Sequence, residues 1–115
     1  MLKYIPQKGD IIWINFDPQS GKEIQKRRPA LVMSSSDYNK KSHFIIVCPI
    51  TSQVKGYPFE VVVKQKEING AILADQVKSF DCAARNVEYI GKCNKETLDK
   101  TLKIIALILD LHRTS

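Results

Sequence analysis

Cysteine is scarce in this chain, and its spacing excludes two common roles. Cys48, Cys82 and Cys93 are odd in number and form no CxxC pair, so neither a disulfide framework nor a thiol redox motif is expected. Histidine is scarcer still. His43 and His112 lie far from any cysteine cluster, which leaves no zinc-ligand spacing, and no metal or other cofactor is expected. Long apolar runs are absent as well. The longest, Ile104 to Leu109, falls well short of the roughly 20 residues that a membrane helix needs. Pro6, Lys8 and Gly9 interrupt the stretch where a signal-peptide core would lie. No repeat, low-complexity tract or linker breaks the sequence. These absences point to one cytoplasmic, reduced domain spanning residues 1–115, with no membrane partner.

What is present is ordinary in amount and uneven in sign. Apolar residues make up 43% and charged residues 26%, enough for one closed core. The net charge of +6 favours an acidic partner, such as nucleic acid or an acidic protein segment. Short runs rich in Val and Ile read as strands over Asp10–Phe16, Ala30–Ser34, Phe44–Ile50, Phe59–Lys64, Ala71–Val77 and Val87–Ile90. Phe44 to Cys48 is apolar on both faces, as a central covered strand should be. Lys66-Glu67-Ile68-Asn69-Gly70 has the composition of a hairpin turn, with Asn-Gly at its left-handed positions. The period then changes. Leu98, Leu102, Ile105 and Leu109 fall on one helical face, widened by Ile104, Ile108 and Leu111, behind an Asn94 N-cap with Glu96 in the first turn. The expected architecture is mainly β, a strongly bent antiparallel sheet clamped by a C-terminal helix.

The most telling segment runs from Gly21 to Val32, where a charged loop passes through Arg27 and Arg28 into an apolar strand. Pro29 biases Arg28 toward an extended backbone, which would hold its guanidinium at a strand mouth. A fixed fork of donors there suits a phosphate. A solvated charge run is the bland alternative. Gly9-Asp10-Ile11-Ile12-Trp13-Ile14-Asn15-Phe16-Asp17-Pro18 precedes this segment, and Cys48-Pro49-Ile50-Thr51-Ser52 and Leu73-Ala74-Asp75-Gln76-Val77-Lys78-Ser79 follow it. Asp37-Tyr38-Asn39 and Tyr57-Pro58-Phe59-Glu60-Val61 lie between. In this order and at these separations the chain resembles the MazF/PemK family of toxin endoribonucleases, from about Tyr4 to the last helix.

The resemblance implies an SH3-like barrel of the kind shared with CcdB toxins, a homodimer, and cleavage of single-stranded mRNA at specific sequences. It implies a metal-independent reaction leaving 2′,3′-cyclic phosphate and 5′-hydroxyl ends, and an acidic, MazE-like antitoxin as partner. Such cleavage needs a base for the 2′ proton, an acid for the leaving 5′-oxygen, and neutralisation of the phosphorane oxygens. With two isolated histidines, other groups must serve. Arg28 would hold the phosphate, although a guanidinium is a poor proton donor at neutral pH. Thr51, which matches the family's catalytic threonine, would donate its hydroxyl to a nonbridging oxygen. Glu23 and Asp75 match acidic family positions, as base or as orienters of Arg28. A carboxylate beside a guanidinium stays ionised, which suits orienting better than proton transfer.

For RNA binding, Lys22, Arg27, Lys55 and Lys78 offer phosphate contacts, Phe16 a stacking platform, and Asn39, Gln53 and Gln76 polar contacts to base edges. Gln76 and Lys78 would share one strand face. Trp13, on the opposite face from Phe16, is expected in the core or an interface. The stretch Asp81-Cys82-Ala83-Ala84-Arg85 lacks the Trp and first Arg usual in the family. That departure touches a substrate or interface contact and leaves the chemistry intact. Two other classes compete: a non-catalytic, CcdB-like topoisomerase poison acting through the last helix, and an RNA-binding barrel without chemistry.

Overall fold

Residue alternation in the first three strands decides the architecture. The computed structural model describes residues 4–16, 27–65 and 67–111. Among them are β1 (Asp10–Asn15), β2 (Arg27–Val32), α1 (Ser36–Ser42), β3 (Phe44–Thr51), β4 (Glu60–Gln65), β5 (Ile68–Leu73), β6 (Lys78–Asp81), β7 (Glu88–Lys92) and α2 (Lys95–Ile108). Successive side chains of β1–β3 point to opposite faces, and both faces are covered. Ile11, Leu31, Cys48 and Ile50 meet Val63 and Ile72 on one side, where Leu98, Leu102 and Ile105 of α2 pack. Ile12, Ile14, Ala30, Val32, Ile45 and Val47 meet Phe80 on the other.

The strands pair antiparallel in the order β4-β5-β3-β2-β1-β7, and β6 joins β3 off that path. The curl follows from β3. Its first half, Phe44–Val47, pairs with β6, while Ile50 and Thr51 pair with Ile72 and Ala71 of β5. The edges β4 and β7 are bridged by a side chain: Gln65 donates from Nε2 to the Lys92 carbonyl at 3.0 Å and accepts the Asn94 N–H at 3.0 Å. The result is the expected curled antiparallel sheet with a C-terminal helix.

At the N-terminus, buried Asp10 accepts from the Tyr4 hydroxyl and the Gln7 N–H and pairs with Lys92 at 2.5 Å. The Asn94 cap is as expected, its side chain accepting from the Thr97 N–H at 2.9 Å. Asp37-Tyr38-Asn39 lies in a short helix, α1, which Ser35 caps by accepting from the Tyr38 N–H. Three expectations change. The strand expected over Ala71–Val77 stops at Leu73, where β5 ends; a turn at Ala74 and Asp75 follows, and β6 begins only at Lys78. The hairpin reverses between Gln65 and Ile68, which pair with each other, so Asn69 and Gly70 lie inside β5. Gly70 serves close approach instead of a turn: a Cβ there would stand 2.0 Å from the Thr51 carbonyl oxygen. Finally, the helix clamp ends early. Leu107, Leu109 and Leu111 are 65%, 59% and 68% exposed.

Burial pushes the Cys48 thiol from the ordinary value of 9.0 up to about 12, with the Asp75 carboxylate adding to the effect, and pushes Cys93 up to about 11. Folding therefore favours the protonated thiols. That stability is full below about pH 9 and is lost as pH rises through about 11 to 12. Urea midpoints should fall over this range, and a Cys48→Ala/Cys93→Ala double variant should show a shallower decline. An equal slope in that variant would refute the assignment.

Candidate functional site

The register of β2 against β3 builds the site. Ala30 lies opposite Pro49. Two residues outward on each strand are Arg28 and Thr51, which strand alternation puts on the same sheet face. Pro29 and Pro49 stiffen the two strands just inside them. Both side chains line one open hollow of about 460 Å³, with Trp13, Arg27, Gln53 and Glu67 on its walls. Arg28 is exposed, whereas Thr51 is half-buried. The Thr51 Oγ1 accepts the Gln53 N–H at 3.1 Å, which fixes the oxygen and leaves its proton free to donate outward.

Thr51 and Gln53 also line a second hollow of about 460 Å³, shared with Lys55, Tyr57, Phe59, Asp75 and Gln76. The two hollows therefore meet at Thr51. The Glu60 carboxylate shapes the second by accepting from the Lys55 and Gly56 N–H groups at 3.1 and 2.9 Å. The Lys55 ammonium stands 6.0 Å from the Tyr57 ring centroid. Asp75 lines this second hollow and not the one holding Arg28, and no ion pair joins the two among the described residues.

The remaining expected residues divide. Gln53, Lys55 and Gln76 line the hollows, although Gln76 sits in a turn, its N–H donating to the Leu73 carbonyl, and not on a strand with Lys78. Lys78 opposes Val47 on β6. It shares the face of Thr51 but lies four residues back along β3, roughly 13 Å away. Arg27 is half-buried and committed, ion-paired to Glu88 at 2.5 Å and 6.0 Å from the Trp13 ring centroid. Glu23 and Lys22 lie outside the described residues.

Two expectations are corrected. Phe16 is not a free stacking platform, because its ring packs on Phe80 at 5.2 Å within the hydrophobic cluster of Ile12, Ile14 and Val47. Asn39 does not read bases. It is buried, its Oδ1 accepting from the Ser34 hydroxyl at 2.5 Å and its Nδ2 donating to the Pro6 and Ser34 carbonyls. A turn signal and a core strut look alike in sequence.

Trp13, Tyr57, Phe59 and Glu67 are the residues that sequence reasoning missed. Trp13 faces Pro29, beside Arg28, and so lines the site. Tyr57 and Phe59 flank a proline next to Lys55, an interleaving of aromatic and basic residues that could have marked them. Glu67 carried no signal. The altered Cys82–Ala84 stretch is a 3-10 turn capped by Asp81 and lines neither hollow. Arg85 beyond it braces the Phe80 ring and the Asn15 and Phe16 carbonyls. His43 caps α1 in a left-handed conformation, also away from Arg28 and Thr51.

Residues 7–109 match the family described as PemK-like, MazF-like toxin of type II toxin-antitoxin system. The Escherichia coli (strain K12) endoribonuclease toxin MazF is 46% identical over 96 residues, covering 84% of this chain and 86% of its own length. The endoribonuclease toxin ChpB of the same strain is 30% identical over 110 residues, covering 90% and 94%. Among solved structures, MazF from Deinococcus radiodurans superposes with a TM-score of 0.84 at 37% identity, covering 94% of this chain and 99% of that one. A MazE–MazF crystal structure from the same organism gives 0.84 at 33% identity, covering 94% and 98%.

Truncating a buried strut should cost more than truncating an exposed wall. Asn39→Ala, which strands the Ser34 hydroxyl and two carbonyls, should lower the unfolding free energy by about 2–3 kcal/mol. Tyr57→Ala, at an exposed ring, should change it by less than about 0.5 kcal/mol. Urea denaturation of both variants measures the difference, and near-equal losses would contradict the placement of Asn39.

Proposed function

The chain belongs to the PemK-like, MazF-like toxin family of type II toxin–antitoxin systems and is an endoribonuclease of the MazF type, and we infer that it cuts single-stranded RNA across Thr51. The observation that supports this most directly is the shared hollow. A permanent cation and a hydroxyl with a free proton converge there on space large enough for a phosphodiester with its base.

The ribose 2′-oxygen attacks phosphorus, and the bond from phosphorus to the 5′-oxygen breaks. A carboxylate takes the 2′ proton and the departing 5′-oxygen takes one from water, so the ends are a 2′,3′-cyclic phosphate and a 5′-hydroxyl. Arg28 neutralises the nonbridging oxygens as charge builds, and Thr51 donates to one of them. Because these groups are cationic or neutral donors, the charge on the phosphorane is met without a metal ion. Asp75 borders Thr51 from the other hollow, which favours a proton-transfer role for it over an orienting one. Glu23 is the second candidate, as the family resemblance implies.

Lys55, Tyr57 and Phe59 extend the surface on the Asp75 side, where a flanking nucleotide would stack and pair its phosphate. The basic surface also suits an acidic antitoxin segment laid over the same groove, and complementary charge would speed that encounter. Such a segment would keep RNA out. The working unit is a cytoplasmic homodimer.

Incubating the protein with a long single-stranded RNA in excess chelator, and mapping both ends of each fragment, tests this directly. Discrete cuts with cyclic 3′ ends are expected. Thr51→Val should slow them by roughly 10²–10³-fold and Arg28→Ala by at least as much. Cuts undiminished in both variants, or cuts that require a divalent cation, would overturn the mechanism. Binding without cuts would instead favour an RNA-binding barrel.

A further inference from the structure

Glu67 is out of place by charge. Among the described residues it is the only carboxylate lining the hollow that holds Arg28 and Thr51, and a negative side chain there repels a phosphate. Among the described residues it makes no ion pair or side-chain hydrogen bond, so it is not spent on holding either arginine. Nor is it loosely placed. Gln65 and Ile68 pair on either side of its turn, and Ala71 pairs with Thr51. Gly70 lies flat on the Thr51 backbone, where any Cβ would collide. The turn that carries Glu67 is thus tied, through a few strand residues, to the Thr51 backbone. Asn69, exposed on the same stretch of β5, lines the same wall.

An unpartnered acceptor on the wall of an anion-binding hollow is satisfied by a donor that arrives with the anion. In RNA the donors near a phosphate are the 2′-hydroxyl of its ribose, which the reaction itself uses, and the N–H groups of its base, which vary with sequence. Trp13 supplies an aromatic face in the same hollow, and stacking there tolerates any base. The carboxylate does not. It favours an exocyclic amino group, as on adenine, cytosine or guanine, and opposes the two carbonyl oxygens that flank the single N–H of uracil. The Asn69 amide can then pair with the neighbouring ring atom.

We propose that the β4–β5 turn is a base-reading subsite: an unpaired base beside the cut lies against Trp13, and Glu67 selects for an exocyclic amino group and against uracil. The proposal rests on the reading of this hollow as the RNA site and adds a specificity determinant to it.

The test uses short single-stranded oligoribonucleotides varied at each position flanking the mapped cut, with the wild-type protein and the Glu67→Gln and Trp13→Ala variants. Each is also prepared with a 2′-deoxy sugar at the cut, so that binding is measured without cleavage. At one flanking position the wild type should prefer amino-bearing bases over uracil by roughly tenfold or more. Glu67→Gln, which keeps the shape and can donate to a uracil oxygen, should bring that ratio to within about twofold while still cutting at the same bond. Trp13→Ala should weaken binding of all four bases together, by roughly tenfold to a hundredfold.

An unchanged base ratio in Glu67→Gln would overturn the proposal. So would an equal loss of cleavage on every sequence with an altered pH profile, since that would make Glu67 the general base. The 2′-deoxy series separates the two readings. A Glu67-dependent binding preference upholds the subsite even where no cut is made, whereas cutting with no such preference defeats the subsite and leaves the nuclease standing.

Discussion

One strand, Phe44–Thr51, hydrogen-bonds to three others, and the site depends on where it stops. Its pairing with β2 sets the register that brings Arg28 and Thr51 to one face. Its last residues switch partner from β6 to β5, and that switch bends the sheet and opens a hollow on either side of Thr51. The missing side chain of Gly70 is what lets β5 come close enough to complete the pairing. Hydrophobic burial on both faces of β3 holds this geometry, so the rim that carries Arg28 and Thr51 is a by-product of a well-covered core.

Two adjacent arginines illustrate how a period of two divides labour. Arg27 points to the face of Trp13 and is tied to Glu88 across the sheet. Arg28 points to the other face and stays exposed. Neither could take the other's role without a register slip that would also turn Ile11, Leu31 and Cys48 out of their core.

Much of this was legible in the chain. Strand alternation, the doubly apolar β3 and the Asn94 cap all rest on local preferences that tertiary packing did not oppose. That Arg28 and Thr51 would line one hollow was legible through their proline-bracketed settings, and through a family resemblance that supplied what spacing alone could not. The failures have a common cause. Asn-Gly usually signals a turn, yet Gly70 is there because a neighbouring backbone leaves no room for a Cβ. Asn39 has the composition of a loop residue, yet its three partners come from Pro6 and Ser34. Trp13 and Phe16 sit on the faces that alternation assigns, but which face meets solvent depends on α2 and on Phe80, distant in sequence. Glu67 depends on the close contact between β5 and β3. Such contacts are made between segments, and no single segment encodes them.

The paired hollows flanking Thr51 also limit what shape of polymer can enter. In a double helix, successive bases stay stacked about 3.4 Å apart along each strand. Here a backbone crossing one threonine would have to send consecutive bases down opposite slopes of a ridge. A stacked duplex cannot splay in that way without melting. Fold geometry alone would thus screen out helical RNA before any base edge is inspected.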